Sequence, residues 1–348
     1  MDVRNPFFHT VLLCLFCTLQ ALDIEGSRYL DLNKELYVMP RSSAMGGSDM
    51  SLVRSAQPMS NPANLSGDSV HIVELAYAGF YNNAFSTSAL SYLSPIDAKS
   101  SFGVSLSYLL VPGILIDNDT IFSGIEDQAY ELYFRAGYGR TLLNIGDQIV
   151  LSAGGALNGE RMDLIGEIGY SIALDIGTSL VLPQYGIAVS ALLENATSSY
   201  VHWGSESKYY AYPHGRVGIG WERAFPYIYG RLKATYLSPD LLSNEGINSY
   251  MRDSINIGDD FDPNYKYFKR PEKTRLLKNP YLPLWGRYGA EYAIMNRIAF
   301  RLGYCPLTAN FTFGAGFGFL ENRAGIDFAY LTHELAPTYK LSVNFKWL

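Results

Sequence analysis

The sequence predicts an all-β protein, a closed antiparallel transmembrane β-barrel of about 14 strands with an N-terminal hatch inside the lumen. Apolar and polar residues alternate with a period of two through most of the chain. Charged residues make up only 17% of the 348 residues, aromatic residues make up 14%, and mean hydropathy is near zero. Strands with one apolar and one polar face give such an average. A soluble sandwich or propeller is the alternative, but the blade repeat of about 40–50 residues that a propeller shows is not found.

The first 21 residues predict a secretory signal peptide. Arg4 precedes an apolar run at 11–19, which is too short to cross a bilayer as a helix, since that takes about 20 residues. We place the cleavage after Ala21. The alternatives are a lipoprotein signal that uses Cys14 or Cys17, and a buried N-terminal strand or helix. Cleavage leaves Cys305 as the one thiol, so no intramolecular disulfide is expected.

Residues 22–68 predict an irregular, turn-rich segment that we interpret as a hatch or plug for the barrel at 69–348. The stretch 44–65 holds a glycine pair followed by an Asn-Pro-Ala turn. Five of its residues, Gly46, Gly47, Asn61, Pro62 and Ala63, are candidates for a hatch or ligand gate because of the family resemblance described below. This prediction places Asn61-Pro62-Ala63 at the inner wall of the barrel.

The strands follow from the alternation, which is clearest in the last ten residues. There Tyr339, Leu341, Val343, Phe345 and Trp347 alternate with Lys340, Ser342, Asn344 and Lys346. One face is apolar and the other polar, as in a strand between lipid and lumen. Similar runs predict fourteen strands, at 69–80, 84–94, 100–111, 128–142, 147–159, 163–180, 183–194, 212–223, 226–237, 284–294, 297–304, 310–320, 322–332 and 339–348. The number is even, as in bacterial single-chain barrels.

The connections also fit a barrel with short periplasmic turns and longer outer loops. Connections near 182–183, 224–226 and 295–296 are brief, whereas we expect outer loops at 112–127, 195–211 and 238–283. The last is the longest, with an acidic first half and a basic second half that has interleaved aromatic residues. It is either a solvated surface loop or a docking site for an anionic or amphipathic ligand.

The polar faces of the strands predict a lumen of mixed charge. The candidates are Arg135, Asp175, Arg216, Glu222, Arg287, Glu291, Arg301 and Asp327. They form cross-strand ion pairs, or they contact a plug or a polar substrate head. Glycines are frequent on the same faces, among them Gly139, Gly154, Gly220, Gly289 and Gly303. Because strand glycines mark the close approach of another backbone, they leave room for the N-terminal segment.

Several function classes are disfavoured. The net charge of −6 argues against a nucleic-acid partner. No HExxH, GxSxG, CxxC or Walker pattern occurs, so we expect neither an enzyme nor a cofactor. Asp259, Asp260 and Asp262 resemble half of a calcium loop but lack its glycine and terminal glutamate, so no metal site is predicted.

Three patches carry a resemblance to a known family. They are Ala44-Met-Gly-Gly-Ser48 with Asn61-Pro62-Ala63-Asn64-Leu65, then Ala173-Leu-Asp-Ile-Gly177, and finally Tyr288–Tyr292 through Phe300–Tyr304 to Gly325–Tyr330 and the last strand. In this order they resemble the FadL-like superfamily of outer-membrane proteins, which includes long-chain fatty-acid transporters and PorV-like proteins, and are most similar to its uncharacterised spirochaete branch. The final Trp347-Leu348 and the long 238–283 loop depart from that pattern.

The resemblance implies a fourteen-stranded barrel in the outer membrane that passes hydrophobic molecules through a hatch. We therefore expect passive uptake of hydrophobic small molecules, foremost long-chain fatty acids and other lipids, with outer-membrane lipid around the barrel. One alternative is a PorV-like partner or shuttle for periplasmic or secreted proteins. Another is a structural or adhesive surface barrel.

Overall fold

The computed structural model describes residues 39–52, 60–66, 70–116, 125–146, 148–164, 167–203, 208–211, 213–242, 282–295, 297–306, 310–333 and 336–348. The predicted signal peptide, most of the 238–283 loop and the acidic Asp259–Asp262 stretch lie outside these residues.

Sixteen strands form one antiparallel sheet. They are β1 (His71–Phe80), β2 (Phe85–Asp97), β3 (Ser100–Ile116), β4 (Ile125–Ile145), β5 (Ile149–Leu164), β6 (Glu167–Leu182), β7 (Ile187–Glu194), β8 (Ser199–Trp203), β9 (Lys208–Ala211), β10 (His214–Phe225), β11 (Gly230–Leu237), β12 (Arg287–Ile294), β13 (Ile298–Cys305), β14 (Asn310–Phe319), β15 (Ala324–Leu331) and β16 (Thr338–Trp347). Among the described residues ahead of them are a short helix, α1 (Pro40–Ala44), and the 3₁₀ turns Asp49–Ser51 and Pro62–Leu65.

The sheet closes into a barrel because its first strand pairs with its last, from His71 opposite Trp347 to Gly79 opposite Tyr339. Fourteen strands form the closed wall, and the hairpin of β8 and β9 is attached to it through β6. The predicted number of wall strands is confirmed, and each predicted strand overlaps an observed one. Closure pairs each of the fourteen wall strands on both sides, which is the condition for a β-structure in lipid.

The prediction of a loop at 195–211 is wrong, because this stretch contains β8 and β9. Residues 199–203 continue the wall by pairing with β6, from Ile172 opposite Tyr200 to Gly169 opposite Trp203. Tyrosine, valine and tryptophan favour strands. The alternation is interrupted, however, by a turn in which Asn195 and Ser198 have positive φ angles of 50° and 57°. That interruption hid the strand from a period-two analysis.

The two ends of the barrel differ in their connections. At one end, which we call the turn end, the strands are joined by two to four residues, at 98–99, 146–148, 183–186, 226–229, 295–297 and 320–323. The opposite loop end carries the longest connection, between β11 and β12. In outer-membrane barrels the short turns are periplasmic, so the turn end would face the periplasm if the protein is such a barrel.

The wall has unequal height. Strands β3 to β6 contain 16 to 21 residues, whereas β11 to β16 contain 8 to 10. At about 3.3 Å per residue, one side of the wall runs roughly twice as far along its strands. The predicted third strand ends at 111 and the predicted fourth begins at 128, so both are shorter than β3 and β4.

Burial is inverted relative to a soluble protein. Leu75, Phe134 and Phe300 are 53%, 41% and 54% exposed, whereas Lys340 and Asp175 are 2% and 0% exposed. Apolar residues face outward and charged residues face inward, as in a barrel surrounded by lipid.

Outward aromatic residues flank this apolar surface. Toward the loop end Tyr304 stacks near Phe311, with 4.7 Å between ring centroids, and toward the turn end Trp347 stacks on His71 at 5.4 Å. On β16, Tyr339 and Trp347 are separated by eight residue-to-residue steps. That distance is about 20 Å across a bilayer for a strand tilted by roughly 40°. This agrees with the apolar band of an outer-membrane barrel.

Within the residues that the structure describes, no helix has the length and apolar character needed to cross a membrane.

Candidate functional site

The described N-terminal residues, 39–52 and 60–66, contact the inner face of the barrel; we call them the N-terminal segment. Ala44, Ser48, Asp49 and Asn61 are all 0% exposed. The 62–65 turn contacts β4, β5 and β6, and α1 contacts β13 to β16. These strands lie on opposite arcs of the closed wall, so the segment bridges the lumen. Its role as a hatch stays a prediction.

The first predicted pair, Gly46 and Gly47, ends α1. Proline at the first helical position, Pro40, favours the helix start. After the helix both glycines adopt left-handed φ angles of 66° and 72°, and Gly47 N–H donates to the Ser42 carbonyl at 2.9 Å. A side chain at Gly46 would also come within 2.9 Å of the Tyr288 carbonyl oxygen. Conformation and space therefore both require glycine there.

The second predicted group, Asn61, Pro62 and Ala63, starts the 62–65 turn. The Asn61 carboxamide oxygen accepts a hydrogen bond of 3.0 Å from Ala63 N–H, which caps the turn. Its amide nitrogen donates to the carbonyl of Thr178 on β6, at 3.3 Å. Asn61 therefore shapes its own turn and attaches it to the wall.

This turn rests on a row of three glycines, Gly139, Gly154 and Gly177, which we call the glycine seat. Gly139 pairs with Gly154 across β4 and β5, and Gly154 pairs with Gly177 across β5 and β6. A Cβ atom on either of the first two would collide with Pro62 backbone, and one on Gly177 would collide with the Asn61 side chain. The seat brings two backbones closer than any side chain would allow.

A second row on the opposite arc contains three glycines and two threonines. Gly220 pairs with Thr235, Thr235 with Gly289, Gly289 with Gly303, and Gly303 with Thr312. The threonines bind the N-terminal segment: Thr235 Oγ1 lies 2.6 Å from Ser48 Oγ, and Thr312 Oγ1 donates to the Ala44 carbonyl at 2.9 Å. This row thus adds hydrogen bonds to a close fit.

Beside this row lies a buried group of ionised side chains that we call the charge cluster: Arg41, Lys233, Glu291, Arg301 and Asp327. Arg41 donates two hydrogen bonds of 2.9 Å to the Glu291 carboxylate. Arg301 Nε donates to the same carboxylate at 2.7 Å and pairs with Asp327 at 2.5 Å. Glu291 is only 3% exposed. Since a buried charge needs partners, Arg41 couples the segment electrostatically to β12 and β13.

A further cation, Lys340, lies where the segment meets an apolar cluster. Its Nζ donates to Ser43 Oγ at 2.9 Å and lies 4.9 Å from the Phe80 ring centroid. Phe80 packs with Ala76, Ala78 and Ala89, and Met39, Tyr81 and Phe85 pack against this group. A positive charge thus adjoins aromatic and aliphatic side chains.

The remaining predicted lumen residues pair elsewhere. Arg135 lies 2.9 Å from Asp175, Arg216 lies 3.4 Å from Glu194, and Glu222 pairs with Arg231 at 2.9 Å. Arg287 opens β12 opposite Leu237, away from the centre of the charge cluster. Of the eight candidates, the structure brings Glu291, Arg301 and Asp327 together in the charge cluster and pairs Arg135 with Asp175 elsewhere on the wall. Glu222 adjoins the cluster, because it lies 3.9 Å from Lys233.

Sequence reasoning missed Arg41 and Lys340 as partners in this arrangement. Arg41 lies in the irregular stretch, where no periodicity assigns a face. Lys340 was assigned to the polar face of the last strand, and a polar face does not indicate which residues cross the lumen to it.

The part of the chain that the structure describes contains no group of three or more His, Cys, Asp or Glu side chains that could hold a metal ion.

These features define a class: a closed fourteen-stranded transmembrane barrel of the outer-membrane type whose lumen is crossed by an N-terminal segment. No protein-family model matches the sequence, and no curated protein matches it.

Solved structures similar to this chain include transporters of the FadL type. The Pseudomonas putida toluene transporter TodX is 13% identical over 88% of this chain and 95% of its own, with a TM-score of 0.47. The CymD monoaromatic hydrocarbon channel is 12% identical over 89% and 96%, at 0.46. A Pseudomonas aeruginosa FadL homologue is 11% identical over 86% and 96%, at 0.44. Likenesses this distant do not transfer a function.

Proposed function

We propose that this protein is an outer-membrane channel for the passive uptake of hydrophobic molecules, and that long-chain fatty acids are its preferred substrates. In this proposal residues 22–68 are the hatch and residues 69–348 the barrel. Gly46, Gly47, Asn61, Pro62 and Ala63 form the gate, because they give the hatch its shape and its contact with the wall.

The observation that carries the proposal is the N-terminal segment bridging the lumen between opposite arcs of the wall. Where it crosses, the glycine rows leave no space even for a Cβ atom. A barrel filled in this way is unsuited to bulk flow of water and ions. Hydrophobic molecules, by contrast, concentrate in membranes and need only a narrow, intermittent path.

The preference for fatty acids rests on the surroundings of Lys340. A fatty acid combines one carboxylate with a long apolar chain. The Lys340 ammonium group attracts a carboxylate, and the adjoining Phe80, Phe85 and Met39 offer apolar surface. Since Lys340 also binds Ser43 of the segment, a carboxylate that takes over this hydrogen bond weakens the attachment of the hatch.

The test is uptake of labelled oleate into liposomes that contain the purified protein. We expect faster uptake than into protein-free liposomes, together with low ion conductance in planar bilayers. Equal uptake rates would refute the channel. A neutral hydrocarbon of similar length separates the two parts of the proposal: Lys340→Met should slow oleate but not the hydrocarbon. If both slow equally, the fatty-acid preference is wrong while hydrophobic uptake stands.

A further inference from the structure

The turn end of the barrel carries an exposed surface that uptake does not use. We call it the turn-end rim; it comprises the turns at 183–186, 226–229 and 320–323 with Arg223, Met295 and Arg297. Backbone hydrogen bonds tie each turn to a neighbouring strand or turn. Glu222 N–H donates to the Gly186 carbonyl at 2.7 Å, Met295 N–H to that of Tyr229 at 2.8 Å, and Gly318 N–H to that of Arg297 at 2.6 Å. The rim is therefore one continuous, ordered edge.

Large apolar and amphipathic side chains point outward from this rim. Tyr227 is 98% exposed, Tyr229 and Leu320 are each 69% exposed, and Tyr185 and Met295 are 62% and 63% exposed. So many large apolar side chains exposed in one patch are rare on the surface of a soluble protein. Tyrosine is enriched where membrane meets water, because its ring is apolar and its hydroxyl is polar.

Three exposed arginines stand on the same rim: Arg223, Arg297 and Arg323. The Arg223 guanidinium carbon lies 6.0 Å from the Phe225 ring centroid, which directs its charge along the aromatic surface. None of the ion pairs found among the described residues involves these three arginines. Their charges therefore face outward, toward whatever surrounds the rim.

We propose that the turn-end rim binds anionic phospholipid headgroups of the periplasmic leaflet. The rim continues the lipid-facing apolar surface of the wall, so its occupant is the lipid that already covers that surface. Arginine matches a phosphate by charge and by forked hydrogen bonding. Exposed tyrosines beside it suit the boundary between headgroups and acyl chains. A periplasmic protein partner is the competing occupant and an outcome of the test below. This inference depends on the membrane placement of the barrel and is independent of uptake.

The experiment is native mass spectrometry of the purified protein from micelles that contain equal amounts of phosphatidylglycerol and phosphatidylcholine. We expect the wild type to retain phosphatidylglycerol at least about fivefold over phosphatidylcholine, the effect of roughly one arginine near an anionic surface. The triple variant Arg223→Gln, Arg297→Gln, Arg323→Gln should lower this ratio to about one, and high salt should do so in the wild type.

Arg161→Gln is the matched control. Arg161 also faces outward and lies 6.0 Å from an aromatic ring, that of Tyr130, but near the loop end of β5. It should leave the ratio unchanged. A wild-type ratio near one overturns the proposal and favours a protein occupant. An unchanged ratio in the triple variant, with its heat-resistant folded band intact on gel electrophoresis, overturns the assignment to these arginines.

Discussion

The N-terminal segment is attached to the wall at two places by different interactions, close packing at one and ion pairing at the other. On β4 to β6 the glycine seat holds the 62–65 turn by shape, through backbone contacts that a single methyl group would break. On the opposite arc the charge cluster holds Arg41 through the carboxylate of Glu291. A shape contact responds little to a charged ligand, whereas a buried charge contact is lost when a charged ligand replaces one of its partners. The difference suggests that the segment is released at Arg41 while it stays anchored at Pro62.

The strongest test of this contrast is Glu291→Gln. The substitution keeps the side-chain shape but leaves Arg41, Arg301 and Lys233 buried without their shared carboxylate. Loss of one partner of a buried ion pair costs about 3–5 kcal/mol. We expect hydrogen exchange to accelerate in 39–52 more than in 60–66, measured by mass spectrometry.

Glu222→Gln is the comparison variant, because Glu222 pairs at 2.9 Å with Arg231, which is 45% exposed, and reaches Lys233 of the charge cluster only at 3.9 Å. An exposed pair contributes about 1 kcal/mol or less, so exchange in 39–52 should barely change. Equal acceleration in 39–52 and 60–66 of the Glu291→Gln variant would contradict independent attachments.

The glycine seat is tested by Gly154→Ala. The new methyl group would collide with the backbone of Pro62 and Ala63. A backbone, unlike a side chain, cannot avoid the collision by changing its rotamer. Overpacking of this kind costs about 1–3 kcal/mol. Exchange should accelerate in 60–66, and ion conductance in planar bilayers should rise.

The neighbouring Gly155→Ala provides the comparison, since its methyl group would lie 3.6 Å from the Asp175 carbonyl oxygen, an ordinary contact. If both alanine variants behave alike, strand propensity and not the seat explains the effect.

A smaller effect is expected from Asn61→Ala, which removes the cap of the 62–65 turn and the hydrogen bond to Thr178. Loss of such a cap costs about 0.5–2 kcal/mol. Asn61→Ser retains a capping oxygen but is too short to reach Thr178, so its exchange rate in 60–66 should fall between those of the wild type and Asn61→Ala. A serine variant as fast as alanine would assign the effect to the wall contact.

The smallest effect concerns pH. Burial raises the pKa of the Asp49 carboxyl, and the hydrogen bond from Ser42 together with the charge of Arg41 offsets only part of this rise. Because the buried form prefers to be neutral, docking of 39–52 is strongest at low pH and weakens as pH rises through the raised pKa. Asp49→Asn should remove this dependence and slow exchange at pH 7 relative to the wild type. An unchanged pH profile in the variant would exclude Asp49 as the titrating group.

Much of the fold could be predicted from the local alternation of apolar and polar residues. The run from Tyr339 to Trp347 alternates without a break, and side chains in a strand must point to opposite faces. Its orientation, apolar outside and charged inside, could therefore be predicted before any contact was known. The strand count followed in the same way, except where the turn at Asn195–Ser198 interrupted the period ahead of β8.

The candidate site could be predicted only in part. Glycines on the polar faces indicated that something approaches closely, and Asn61-Pro62-Ala63 indicated a tight turn. Which glycine faces which residue depends on the register of strands from distant parts of the chain. Gly154 meets Pro62 only because pairing aligns it with Gly139 and Gly177.

The sequence by itself determined the alternation, the short turns and the supply of inward charges and glycines, because these follow from neighbours one to four residues apart. Only the tertiary structure decided that Glu291 binds Arg41 across 250 positions of sequence, that Lys340 meets Ser43, and that one side of the wall rises above the other. Each of these depends on closure of the barrel around the N-terminal segment. Closure depends on the register between every pair of neighbouring strands in the fourteen-stranded wall. No short stretch of sequence determines all of these registers.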